Sequence, residues 1–92
     1  MHTPESFAQV LAEGGFEPAV TITREPGGSL GDHSHAFEAR ALILSGEIRI
    51  VTQGGDQVYR AGDVFHLAAH EPHSEFYGPQ GVSYLVGRKP AL

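Results

Sequence analysis

The 92-residue sequence has no cysteine, no tryptophan and a single methionine. Without cysteine there is no disulfide framework, no thiolate metal site and no cysteine nucleophile. Basic residues are also few. The six are Arg24, Arg40, Arg49, Arg60, Arg88 and Lys89, against eleven acids, which leaves a net charge of −5. Apart from the final pair they are scattered, so a basic face for nucleic acid is not expected. No apolar run approaches the roughly 18 residues of a membrane-spanning helix, and the first residues lack the charged-then-apolar layout of a signal peptide. A cytoplasmic protein with neither nucleic acid nor membrane as partner is the expectation. The length suits one domain with one core, so any site must be built into that core. In place of the missing chemistries stand six histidines, and these are the feature to explain.

Thr3-Pro4-Glu5 supplies an N-cap type, a proline at the first helical position and an acid in the first turn. Phe7, Val10 and Leu11 come next at helical spacing, and Gly14-Gly15 ends the pattern. This predicts one short N-terminal helix, packed on the outside of the remaining chain. From residue 19 the pattern changes to short apolar or alternating runs: 19–25, 36–44, 47–52, 57–60, 64–67, 74–77 and 82–88. Glycine- and proline-rich breaks separate them, with Gly54-Gly55 a plain hairpin signal. Seven short strands at this spacing predict an all-β sandwich or barrel. The expected division is a helix and lead-in over 1–18 and a β-barrel over 19–92, one domain overall.

His33 and His35 are one residue apart, so on a strand both point to one face and form a bidentate metal grip. Gly27, five intervening residues, His33-Ser34-His35 and then Gly46 resemble the first motif of the cupin family. The stretch from Gly62-Asp63 through His66, His70, Glu71 and Pro72 to His73 is similar to the second. The two motifs and the hairpin between them cover residues 27–77. The resemblance implies a double-stranded β-helix, the cupin jelly-roll barrel, with His33, His35 and His73 converging on one divalent metal ion. Three neutral imidazoles with open positions suit Zn, Fe, Mn, Ni or Cu.

The match is incomplete. The family's glutamate ligand falls on Ala39, the later asparagine on Tyr77, the usual proline on Ala68 and the usual glycine on His70. Glu38 is adjacent to Ala39, but a one-residue offset on a strand turns its side chain to the other face unless a bulge intervenes. Glu75, two residues after His73, shares that residue's face on a regular strand and is the candidate to supply the missing carboxylate or to act as a catalytic base. By the same parity Tyr77 is a candidate to line the cavity, with Ala39 and Ala41 leaving room for a ligand. His66 is expected to be packed or at an interface, His70 a loop residue, and Asp63 a turn former. The resemblance implies two functions. One is a mononuclear-metal enzyme, dioxygenase- or isomerase-like, with a reduced three-His site. The other is a small-ligand sensor or binding domain without turnover. A structural domain whose histidines bind nothing is the third reading. A second apolar face on the strands makes a homodimer the expected state.

Overall fold

The computed structural model describes residues 2–91, one residue short of the expected 1–18 and 19–92 segments at each outer end. Helix α1 spans Pro4–Glu13. The Ser6 N–H donates to Thr3 Oγ1 at 3.1 Å and the Thr3 N–H donates to Ser6 Oγ at 2.9 Å, so two otherwise orphaned amides are satisfied reciprocally. Phe7 and Leu11, one turn apart, are buried with Phe16 against Leu42 of the sheet.

Six strands come after the helix: β1 Val20–Arg24, β2 Ser29–His33, β3 Phe37–Thr52, β4 Gly55–Arg60, β5 Val64–Leu67 and β6 His73–Pro90. The runs predicted over 36–44 and 47–52 are one strand, β3, and those over 74–77 and 82–88 are one strand, β6. Strand β2 is not predicted, because Ser29-Leu30-Gly31-Asp32 carries neither alternation nor β-branched residues.

The two long strands run antiparallel along their whole length and organise the barrel. Residues 82–86 of β6 pair with β1, and residues 39–42 of β3 with β5, giving one half ordered β1-β6-β3-β5. Residues 73–76 of β6 pair with β2, and residues 47–52 of β3 with β4, giving the other half ordered β2-β6-β3-β4. Side chains from both halves meet in one core, with Ala41, Ile43, Phe65 and Tyr84 from the first against Ile48 and Ile50 from the second. This is the jelly-roll arrangement.

Parity shows where the chain bends. On β3 the buried inward row is Ala39, Ala41, Ile43 and then Ile48, Ile50, so odd positions give way to even ones. The register slips at the same place, between Ile43 and Ser45 and between Gly46 and Ile48. An inserted residue is what reverses the inward face of a strand. On β6 the inward row changes from His73 and Glu75 to Val82, Tyr84 and Val86. Gly46 and Gly81 sit at the two reversals with φ of 75° and 76°. A Cβ on Gly46 would collide with the Gly81 carbonyl oxygen, so the close approach of β3 and β6 at the bend requires glycine.

Candidate metal centre

His33 closes β2 and His73 opens β6, and the two are paired directly across the strands. The slip in register between Leu30 and His33 is what lets both face inward. His35 lies two residues past the end of β2, so the expectation of His33 and His35 side by side on one strand is corrected. The intervening loop brings His35 over instead, fixed by the His70 N–H donating to the His35 carbonyl at 2.7 Å and by a parallel stack on Phe37 at 4.4 Å between ring centres. One ligating atom from each of His33, His35 and His73 falls within 4.8 Å of the others.

Second contacts decide which nitrogen faces the centre. A backbone carbonyl only accepts, so the ring nitrogen beside it carries the proton. His33 Nδ1 donates to the Gly31 carbonyl at 2.6 Å, and His73 Nδ1 donates to the Glu71 carbonyl at 3.0 Å. In the neutral ring each Nε2 then bears a free lone pair, which is how metal-binding imidazoles are held. His73 is almost fully buried, and its Nε2 has no hydrogen-bond partner. Burial, and after it the neighbouring His73 and His33, lowers the pKa of His35 below its ordinary value and favours its neutral form as well.

Glu75 is buried on the same inward row of β6 as His73. Its Oε2 lies 3.4 Å from His33 Nε2 and 3.3 Å from His73 Nε2. The His73 contact is close without the alignment of a hydrogen bond, since that nitrogen has given its proton position to Nδ1. Two lone pairs and a carboxylate oxygen thus face one another, and a shared cation is the arrangement that relieves their repulsion. Two donors each about 2.1 Å from a tetrahedral ion stand about 3.4 Å apart, so the donor set fits a transition metal. The other oxygen, Oε1, accepts from the Tyr77 hydroxyl at 3.1 Å.

Glu38 does not reach the centre. It points to the opposite face of β3 and pairs with His66, which is exposed on β5. No bulge precedes Ala39, so parity holds and Ala39 itself faces inward. Asp63 forms its turn, accepting the Arg60 N–H at 2.8 Å. Ala39 lines a cavity of about 190 Å³ together with His33, His35 and Glu75, while His73 lies buried behind them. Ala41 is fully buried in the core cluster, and Tyr77 packs half-buried against that core. Apolar walls come from Ile22, Leu30, Phe37 and Phe65, while Arg24, Arg88 and Tyr84 bring polar groups to the cavity. These three are missed by motif reading. Strand parity carries the signal, because Arg24 extends the inward row of Ile22, and Tyr84 and Arg88 belong to the inward row of Val82 and Val86.

Residues 20–76 match the cupin domain family. No curated protein matches the chain by sequence. The chain is similar to an RmlC-like cupin from Shewanella frigidimarina, with 27% identity and a TM-score of 0.68 over 79% of this chain and 65% of that one. It therefore spans slightly less than two thirds of that protein. A structure of unknown function from Rhizobium leguminosarum bv. viciae aligns with a TM-score of 0.75 at 18% identity, over 79% of this chain and 69% of that one. KdgF from Halomonas aligns with a TM-score of 0.65 at 18% identity, over 80% and 69% of the two chains. At these lower identities the likeness is one of fold. With the family match covering more than half of its length, and a jelly roll built around two long bent strands, the chain belongs to the cupin family.

Proposed function

We propose that this chain is a mononuclear metal-binding cupin that takes a small molecule into the cavity beside the site of His33, His35 and His73. The observation that carries the reading is the donor set: two imidazoles locked by backbone carbonyls with their Nε2 atoms turned inward, and the Glu75 carboxylate set 3.3–3.4 Å from both. In this reading Glu75 is the carboxylate ligand for which Ala39 leaves no candidate. A divalent ion held there supplies Lewis acidity, polarising an oxygen of the bound molecule. Tyr77 holds Glu75 Oε1, and the imidazole pair faces Oε2, so neither oxygen is free to act as a base toward the cavity. That favours metal-centred ligand binding over isomerase-like chemistry, which needs a side-chain base. Dioxygenase-like turnover, which asks no such base of the chain, is the catalytic form this donor set supports.

The test uses tag-free protein. About one equivalent of a transition metal by elemental analysis, a rise in melting temperature when Zn, Mn, Ni or Fe is added, and loss of both in His73→Ala are the expected results. A metal-free protein whose melting temperature is indifferent to every ion would overturn the reading. Oxygen consumption with a bound small molecule would mark turnover, and binding without consumption a sensor.

A further inference from the structure

The cavity is rich in hydrogen-bond donors and poor in acceptors. Arg24, Tyr84 and Arg88 line it. The Arg24 guanidinium sits beside the Tyr84 hydroxyl, and that contact raises its pKa further. Arg88 lies over the Phe37 ring, 4.9 Å from its centre, a cation–π contact that holds the guanidinium at the cavity wall. Burial, then the charge of Glu75, raises the pKa of Tyr84, so its hydroxyl is a donor at neutral pH. Against these donors the lining offers one carboxylate, Glu75, already engaged, and no asparagine, glutamine or aspartate. A polyol would leave its own hydroxyl donors unpaired there.

The placement is specific. Arg88 pairs across the strands with Ala39, whose methyl group leaves open the volume beside it. Two cations therefore flank the cavity of a protein whose net charge is −5. Apolar side chains form much of the remaining wall, beside His33, His35 and Glu75, and a cavity of about 190 Å³ lies below the range of roughly 300–1,000 Å³ usual for drug-sized ligands.

We infer that the ligand is a small organic carboxylate, its carboxylate taken by Arg88 beside Ala39 and its apolar body held against Phe37 and Phe65, with Arg24 six register positions away at the other end of the cavity. This names the ligand class of the proposed site and so rests on that reading, but the arginines are tested independently of the ion.

Benzoate, succinate and pyruvate are titrated against both metal-loaded and chelator-treated protein, each beside its neutral amide and beside inorganic phosphate. Metal content is measured for every sample. At least one acid is expected to bind tenfold or more tightly than its amide and than phosphate. Arg88→Gln should weaken that acid by about 10- to 100-fold, as loss of a charge-assisted contact does, with metal content unchanged, and Arg24→Gln should have the smaller effect. Ala39→Glu, which tethers a carboxylate in the same volume, should abolish binding of the free acid. If that variant does not fold, the two arginine variants decide. Acids binding no better than amides, phosphate binding as tightly, or affinity indifferent to Arg88 would each overturn the inference. Arginine-dependent binding in a protein that takes up no metal would uphold it while the metal reading falls.

Discussion

Tyr77 touches no imidazole, yet its hydroxyl holds one oxygen of Glu75 and so directs the other toward His33 and His73. Removing that hydroxyl in Tyr77→Phe leaves Oε1 unpaired and the carboxylate free to rotate. Loss of such an outer partner costs about 10- to 100-fold in metal affinity. A competitive chelator titration of the variant should find a loss of that size with little change in fold, and an unchanged affinity would remove Tyr77 from the account. The same contact has a signature in pH. Burial first, then the charge of Glu75 and the hydrogen bond to it, push the Tyr77 hydroxyl up to about 12 from its ordinary 10. The folded chain thus holds this proton more tightly than the unfolded chain does. Its contribution to stability is complete below pH 10 and is lost as the pH rises through 12. Denaturant unfolding of the metal-free protein should therefore show stability declining between about pH 10 and 12, with a shallower decline in Tyr77→Phe.

At the scale of strands and helix, the molecule depends on the bends in β3 and β6. Gly46 has a φ of 75°, and any Cβ there meets the Gly81 backbone. Gly46→Ala should cost on the order of 3 kcal/mol, combining the left-handed backbone penalty with a clash against backbone that cannot move aside. In a domain of this size each kcal/mol lowers the melting temperature by about 4–8 °C. Calorimetry showing a loss under about 1 kcal/mol would contradict the role assigned to the bend. The same bend explains what the sequence reveals and conceals. Helix α1 is legible because Thr3, Pro4 and Gly14 mark its ends. The inward row of β3 is legible after the bend, where Ile48 and Ile50 alternate with polar residues, but less so before it, where Ala41-Leu42-Ile43-Leu44 is apolar on both faces. The continuity of the strand is hidden, because a bulge at Ser45-Gly46 looks the same as a loop when only alternation is read. Strand β2 is hidden for a different reason: its residues before His33 are exposed and its partners lie forty or more positions away on β6. The three histidines are legible from spacing, but the route of His35 through a loop and the mouth arginines become visible only when the strands are rolled together.

For the whole molecule, the second apolar face read from the strands is largely covered from within. Phe7, Leu11 and Phe16 close over Leu42, with Leu44, Val64 and Leu85 alongside. The expected homodimer would have only the partly buried Leu44, Val64 and Leu85 of that face to use. Light scattering at micromolar concentration tests that expectation: a dimer mass upholds it and a monomer mass rules it out. Beneath that surface the fold serves one purpose in this account: the two long strands bring His73 and Glu75 opposite His33 and leave a cavity open beside them. X-ray absorption on the zinc-loaded, tag-free protein tests this most directly. The expected result is one ion per chain bound by three imidazole nitrogens and a carboxylate oxygen that disappears in Glu75→Gln. An ion held by fewer than three imidazoles, or no stoichiometric ion at all, would contradict it.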